Sequence, residues 1–382
     1  MMPLGESWYR VKVAQIQAAM EAQPFEGLLL LSMPNVIYAS GFLHTPSERP
    51  IGLYIPPHGE PTLFVPLLEQ ENAAATWVTD VRTYFEYPGE ESPIAWMLRE
   101  SGAKSLGVDA LPASTYVALH GNITLTPLVN QMRWIKDEAE LALIHQAAGY
   151  ADYCLEQVRD RAPTIIAQGG TELDILRECV GAANQKMKAE VGELFKLRGR
   201  AVVGTVHSGA RAALPHGAPI EKQPKSGEML IAGIGASVGG YHAESGATFI
   251  IGQATNEQFH ILQTAADTDA ATVAALHPGA TCLSVNEAAL DVIHAADYGA
   301  YIRHRIGHGM GIEGHEAPWL APGDSTPVQP SMVFSCEPGI YRPGVDGCRT
   351  INTLIVSADG DARVASQFLS ENPPEQRVLP VL

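Results

Sequence analysis

Residues 229–252 read MLIAGIGASVGGYHAESGATFIIG, and this stretch decides how the second half of the chain folds. Its glycine-rich centre, GIGASVGG at 233–240, comes close to the phosphate-binding loop of a dinucleotide-binding domain. That loop must lead into a helix, whereas here the chain continues into YHAESGATFIIG at 241–252, a second strand-like segment. The pattern therefore predicts two strands joined by a glycine-rich hairpin turn.

The segments on either side of this hairpin alternate between helical and strand-like patterns. Apolar residues recur at helical spacing from Trp134 onward, where Asp137 is a candidate cap, and again at about 171–192 and 255–276. Strand-like segments follow, with MVFSCE and TLIVSA among them. Because no strict βαβ order is present, we predict an α+β domain over residues 131–382.

The preceding residues, 1–130, predict a separate α/β domain. Its expected elements are a helix at 9–25, a buried strand at 27–32, two strands joined by the turn PPHGEP, a helix near 92–102 and a strand in SLGVDA.

Composition excludes several classes of protein. The chain has 382 residues, 46% of them apolar and 18% charged, which is typical of a globular protein with a sizeable core. A net charge of −17 argues against nucleic-acid partners and anionic membrane surfaces, and no apolar run is long enough to cross a bilayer. The N-terminal sequence does not resemble a secretory signal, and the five scattered cysteines indicate reduced thiols. We therefore expect a cytoplasmic protein.

Histidines beside glycines mark a candidate site in the second domain. His216 lies in SGARAALPHGAP, and three more lie in HRIGHGMGIEGHEAPWL, namely His304, His308 and His315. Any one of them could be a structural residue, but three within one glycine-rich segment favour a shared site. Glu337 in MVFSCEPGIY follows an apolar strand; alone, it could equally be a helix cap or a salt-bridge partner.

Four of these segments, in order, resemble the signatures of the pita-bread hydrolases. They are SGARAALPHGAP, GYHAESGATF, GHGMGIEGHEAP and MVFSCEPGIY. That group contains aminopeptidase P, prolidase, methionine aminopeptidase and the metal-free creatinase. LLLLSMPNVIYASGF at 28–42 likewise resembles the creatinase-type N-terminal domain. The resemblance implies a pita-bread C-terminal domain of two pseudo-symmetric halves and a homodimer.

The resemblance also implies where a metal site would lie and why it is incomplete. The metallopeptidases of this group hold two ions with two Asp, one His and two Glu. These positions carry, in order, Gly233, Glu244, His308, Glu337 and Ile351. Gly and Ile have no donor atom, so we do not expect a dinuclear site. Glu244, His308 and Glu337 could still hold one Mn, Zn or Fe ion, and the alternative is no metal at all.

The residues that match the family's catalytic set are His216, His304, His308, His315, Glu337 and Arg349. Arg49 lies where creatinase, by resemblance, uses arginine from the partner subunit to bind the substrate carboxylate. Gly246 and Ala247 stand where creatinase has a glutamate, which argues against creatinase activity itself.

The function that this set predicts is hydrolysis of an amide-like C–N bond. The substrate would be a small molecule or a short peptide, with Xaa-Pro peptidase activity weak or absent because two bridged ions normally supply the attacking hydroxide. Two alternatives stay open at this point: a catalytically inactive binding or scaffold protein, and a lyase on the same fold.

Overall fold

The computed structural model describes residues 2–85, 91–118, 123–196 and 201–380. The described residues divide into two compact units, with the boundary between Arg133 and Trp134. Each contains both helices and strands, so the expected α+β composition is confirmed. No helix within these ranges is long and apolar enough to cross a membrane.

The first unit is built on one six-stranded mixed sheet in the order β4-β3-β2-β1-β5-β6. Its strands are β1 (Gly27–Leu30), β2 (Gly52–Ile55), β3 (Thr62–Pro66), β4 (Asp80–Tyr84), β5 (Leu106–Val108) and β6 (Ile123–Leu125). Its helices are α1 (Glu6–Met20), α2 (Met33–Ser40), α3 (Gln70–Ala73), α4 (Pro93–Ser101), α5 (Ala113–Ala118) and α6 (Leu128–Trp134), the last of which reaches the boundary. The predicted antiparallel pair around PPHGEP is present as β2 and β3.

The first helix was predicted too far along the chain. It ends at Met20 rather than near residue 25. Pro24 disfavours helical geometry at Gln23, so the helix could not continue to residue 25. A sequence pattern that continues through a proline therefore overstated the length of this helix.

The second unit contains the helices and strands that form the candidate site. Its helices are α7 (Glu138–Ala167), α8 (Glu172–Val191), α9 (Glu193–Lys196), α10 (Asn256–Ala275), α11 (Cys282–Ala295) and α12 (Phe368–Glu371). Its strands are β7 (Val202–Ser208), β8 (Met229–Val238), β9 (Tyr241–Ile251), β10 (Gly307–Gly309), β11 (Glu316–Leu320), β12 (Val333–Cys336), β13 (Gly339–Arg342), β14 (Asp346–Arg349), β15 (Asn352–Val356), β16 (Ala362–Val364) and β17 (Val378–Leu379).

Two sheets dominate this unit. One has four strands in the order β17-β9-β8-β7, with α7 packed on β8 and β9. The other has five strands in the order β11-β10-β12-β15-β16. A separate pair is formed by β13 and β14. Strand β15 of the five-stranded sheet packs against β9 of the four-stranded sheet, so the two sheets meet there.

The long helices begin where the sequence predicted. Asp137, Thr171 and Thr255 each cap a helix through a capping box, in which the side chain accepts from a backbone N–H of the first turn. A fourth helix, α11, was not predicted, although Thr281 caps it in the same way.

The glycine-rich hairpin is confirmed. Strands β8 and β9 pair antiparallel along their whole length, and Gly239 and Gly240 connect them. Both glycines have positive φ, 57° and 87°, which a two-residue hairpin turn of the primed type requires and which side chains disfavour. The segment is therefore a tight turn and not a phosphate-binding loop.

Candidate functional site

A cavity of about 260 Å³ lies in the second unit, between its two large sheets. Its walls come from β7, β8, β9 and β14 and from the segments that precede β11 and follow β12. The residues that line it are Val203, Gly204, Thr205, His216, Gly233, Ile234, Gly235, Glu244, His315, Glu337, Arg349 and Ile351. Gly233 and Ile351, the two positions at which the resemblance implies missing ligands, thus line the same cavity as Glu244, His315 and Glu337.

Glu244 is held in place by neighbouring strands. It lies on β9 opposite Gly235 of β8. Its backbone N–H donates to Thr353 Oγ1 at 2.9 Å, and the same hydroxyl donates back to the Glu244 carbonyl at 2.7 Å. Ser335 Oγ donates to Glu244 Oε2 at 3.0 Å. These bonds, from β15 and β12, fix both the backbone and the carboxylate at the cavity wall.

His308 lies in the centre of β10, between β11 and β12, and is fully buried. Its Nδ1 is 3.0 Å from the Gly309 carbonyl, which suits an N–H donor there. Its Nε2 has no hydrogen-bond partner and lies 3.5 Å from Glu337 Oε1 and 3.9 Å from Glu244 Oε2. Burial lowers the pKa of His308 to about 4 despite the opposing charge of Glu337, so the imidazole is neutral at pH 7 with Nε2 as an acceptor.

His315 lies beside His308, just before β11. The two rings are 3.9 Å apart, and His315 Nε2 lies 3.9 Å from Glu244 Oε1. Burial also lowers the pKa of His315. Glu244, His308 and His315 each offer a ligand atom within 4.8 Å of the others. We call these three residues the histidine side of the cavity.

The histidine side fits one divalent ion by its donor chemistry. Two neutral imidazoles and a carboxylate form a set that Zn, Fe and Mn accept. Burial first, and then the charge of Glu337, raises the pKa of Glu244 to about 7, so a cation placed here would relieve a real electrostatic cost. His315 is the third residue of this cluster, while Glu337, the third ligand predicted from the sequence, lies 3.5 Å from His308 Nε2 and its role as a ligand stays a prediction.

The opposite wall has a different character. A Cβ on Gly233 would lie 2.8 Å from Arg349 Nη2 and 3.4 Å from Ile351 Cδ1, so these two side chains occupy the space next to the missing Asp. Ile351 also exchanges two backbone hydrogen bonds of 2.9 Å with Gly246. We call Gly233, Arg349 and Ile351 the arginine side of the cavity. It offers no ligand atom for a second ion.

Asp346, the other carboxylate near this wall in sequence, does not replace the missing ligands. Its two oxygens accept from Arg342 Nε and Nη2, both at 2.7 Å. The side chain is buried in that pair, and Asp346 is not one of the residues that line the cavity.

The two remaining predicted histidines of this unit differ in whether they line the cavity. His216 lines the cavity directly. His304 does not; its Nε2 is 2.8 Å from the hydroxyl of Tyr341, which also hydrogen-bonds the Arg349 side chain. Burial lowers the pKa of His304. His304 is therefore linked to the arginine side through Tyr341 and does not touch the cavity itself.

Arg49 belongs to the first unit, where its Nη1 pairs with Glu48. Its predicted role in binding the substrate carboxylate of a partner subunit stays a prediction.

Three supporting residues were missed by the sequence analysis. Ser335 and Thr353 orient Glu244, and Tyr341 joins His304 to Arg349. Ser335 and Tyr341 stand within MVFSCEPGIY, which was used only for its glutamate. The sequence signal that could have found them is a hydroxyl residue on a strand next to a functional carboxylate.

The architecture and this site define the class of protein, a pita-bread hydrolase with a creatinase-type N-terminal domain. Residues 142–358 match metallopeptidase family M24, and residues 12–135 match the creatinase/prolidase N-terminal domain. The chain therefore belongs to metallopeptidase family M24, and the fold and family expected from the sequence are confirmed.

Named relatives agree along nearly the whole chain. A probable dipeptidase PepE of Mycobacterium bovis is 28% identical, covering 98% of this chain and 97% of that protein. A Xaa-Pro dipeptidase of Pyrococcus horikoshii is 28% identical, covering 92% and 96%. The crystal structure of dipeptidase PepE from Mycobacterium ulcerans superposes with a TM-score of 0.84 at 26% identity, covering 99% and 100%.

Proposed function

We propose that this chain is a hydrolase that cleaves the C–N bond of a short peptide or an N-acyl amino acid in the described cavity, with at most one divalent ion. The observation that carries the proposal is the cluster of Glu244, His308 and His315 with Glu337 beside His308. A purely structural role would not require a carboxylate pair and two imidazoles to share one cavity wall.

Glu244, His308 and His315 would hold the ion. Mn, Zn or Fe bound there would polarise the scissile carbonyl and lower the pKa of a bound water. The protein groups around the ion then decide which atoms the substrate presents. Ser335 keeps one oxygen of Glu244 occupied as a hydrogen-bond acceptor, which limits how that carboxylate can turn.

Glu337 is the candidate general base. It follows β12 at the cavity wall, and its Oε1 lies 3.5 Å from His308 Nε2. A carboxylate at that place can accept the proton of an attacking water. His216, which also lines the cavity, can donate to the oxyanion that forms from the carbonyl oxygen. His304 acts as a positioning residue through Tyr341.

A second ion does not fit. Gly233 and Ile351 supply no donor atom, and the Arg349 guanidinium brings a positive charge to that wall. Without a bridged pair of ions, we expect Xaa-Pro cleavage to be weak or absent, even though relatives carry the name Xaa-Pro dipeptidase.

The wider assembly is part of the same proposal. We propose a creatinase-type domain over residues 1–130, a pita-bread domain over 131–382, and a homodimer in which Arg49 approaches the partner's substrate. A cytoplasmic location is supported by the cysteines, all five of which are free and buried.

A second candidate function is binding without catalysis. It is favoured by one observation, the loss of donor atoms at Gly233 and Ile351 together with the packing of Ile351 against the backbone of Gly246. Such a protein would retain the cavity and its ligand but turn nothing over.

The deciding experiment is a hydrolysis screen with dipeptides, Xaa-Pro dipeptides and N-acyl amino acids, each with added Mn, Zn or Fe. We expect turnover of at least one substrate other than an Xaa-Pro dipeptide. Glu337→Gln should then lower kcat by about two to four powers of ten with little change in KM. Glu287→Gln, an exposed glutamate on α11, is the matched control and should leave the rate unchanged.

Three results would count against this assignment. An unchanged rate in Glu337→Gln would place the base elsewhere. Robust Xaa-Pro cleavage would contradict the effect assigned to Gly233 and Ile351. A screen without any turnover would favour the binding protein.

A further inference from the structure

The arginine side contains a buried cation, Arg349, that forms no salt bridge with the described residues. Arg349 is only 6% exposed. Its Nη1 donates to the Pro215 carbonyl at 2.8 Å, and Tyr341 accepts a further hydrogen bond, but both acceptors are neutral. Its Nε is buried and has no hydrogen-bond partner among the described residues, and no described carboxylate forms a salt bridge with Arg349. The charge of the guanidinium does act on Glu244, whose pKa it lowers without forming a salt bridge, against the larger effect of burial.

A buried guanidinium in this state is costly. Charged groups inside proteins are normally paired, because desolvation is offset only by a nearby opposite charge and by complete hydrogen bonding. Arg349 lines the cavity, so a ligand can reach it. The missing counter-charge can therefore come from the substrate.

Gly233 leaves room for the Arg349 guanidinium beside the cavity. An aspartate there would place its carboxylate directly against Arg349, since a Cβ on residue 233 lies 2.8 Å from Nη2. With glycine, Arg349 Nη2 occupies this place, and both residues line the cavity. The guanidinium therefore faces the cavity without a carboxylate at residue 233.

We propose that Arg349 binds the carboxylate of the substrate, so that the position of the second metal ion has become an anion site. This inference rests on the proposed function and names its substrate class as carboxylate-bearing amides. The guanidinium suits a carboxylate because its planar N–H donors match two oxygens. His216, which also lines the cavity, offers a further donor.

Binding of N-acetylglycine and of its uncharged amide, measured by calorimetry in EDTA, tests this site without turnover or metal. We expect the acid to bind about ten- to a hundred-fold more tightly than the amide, the range typical of one charge-assisted contact. Arg349→Gln should remove the difference. Equal affinity of acid and amide for the wild-type protein would overturn the proposal.

A second pair of variants covers the case in which Arg349→Gln does not fold. Gly233→Asp supplies an internal carboxylate to Arg349, and only the far end of that flexible side chain must move to admit it. It should remove the preference for the acid, whereas Gly233→Asn, of the same size but neutral, should keep a clear part of it. Equal loss in both variants would show that filled space, and not charge, matters, and would contradict the assignment.

The two proposals fail separately. Preference for the acid without any hydrolysis would leave the anion site and refute the hydrolase. Hydrolysis of N-acyl amino acids with no preference for the acid would refute the anion site alone.

Discussion

The two sides of the cavity differ in what their residues can do. On the histidine side, Glu244, His308 and His315 bring their ligand atoms within 4.8 Å of one another. On the arginine side, the same cavity is walled by Gly233, Ile351 and Arg349. One side is suited to a cation, and the other carries a cation of its own.

This difference follows from where the two residues without donor atoms lie. The two substituted positions, Gly233 and Ile351, are spatial neighbours, because a Cβ on Gly233 would lie 3.4 Å from Ile351 Cδ1. Both residues belong to the arginine side, whereas Glu244, His308 and His315 on the histidine side carry donor atoms.

The largest expected effect is a loss of metal affinity when His308 is removed from the histidine side. His308→Ala deletes a buried imidazole from the histidine side and should weaken binding of Mn or Zn by at least about a hundred-fold. Loss of a residue that only hydrogen-bonds a metal ligand already lowers metal affinity by about 10- to 100-fold, and loss of the ligand itself should cost at least as much. His277→Ala, at an exposed histidine outside the cavity, is the control. Metal affinity is measured by calorimetry and the metal content by elemental analysis.

Two outcomes would break the contrast between the sides. Unchanged affinity in His308→Ala would mean that the ion binds elsewhere. Two tightly held ions per wild-type chain would mean that the arginine side binds metal after all.

Much of this site followed from the sequence because its residues stand in short, ordered segments. The order of these segments along the chain was enough to assign Glu244, His308 and Glu337 to one domain. The proximity of Arg349 to Gly233 could not be predicted in the same way. It depends on how β14 packs against β8, a contact between segments more than a hundred residues apart.

The same reasoning applies to the fold. The hairpin β8–β9 was predictable because Gly-Gly between two apolar segments is a local signal. Helix α11 was missed although Cys282, Val285 and Ala289 recur at helical spacing and Thr281 caps it. The predicted end of α1 was wrong, because Pro24 disfavours helical geometry at Gln23 and the helix ends at Met20.

A smaller expected effect, on the unfolding free energy, tests whether the arginine side is as tightly packed as the protein core. A Cβ on Gly246 would lie 2.6 Å from Ile351 Cγ1, so Gly246→Ala forces the strands apart and should cost about 1–3 kcal/mol of unfolding free energy. Gly235→Ala is the matched control on the paired strand, because its Cβ meets only Val203 Cγ2, at 3.6 Å. Urea unfolding in EDTA measures both variants. Equal stability of the two would show that Ile351 yields easily and that this wall is loosely packed.

The smallest expected effect is a pH dependence of the unfolding free energy, caused by a buried histidine close to Arg349. His207 is fully buried, and its Nε2 has no hydrogen-bond partner. Burial, then the charges of Arg349 and Arg211, lower the pKa of His207 to about 4 from an ordinary value of 6.5. Between these values the unfolded chain binds a proton that the folded chain does not. Stability should therefore be full above pH 6.5 and fall as the pH drops.

The lowered pKa of His207 should remove about 1 kcal/mol of unfolding free energy between pH 7.0 and pH 5.5, by proton linkage at one site. His207→Gln cannot take up that proton, so its stability should fall by that much less over the same range. Urea unfolding of both proteins at the two pH values gives the difference, in which all other titrating groups cancel. Parallel losses in the two proteins would mean that His207 is not held neutral, and that the positive charge of the arginine side is screened from its neighbours.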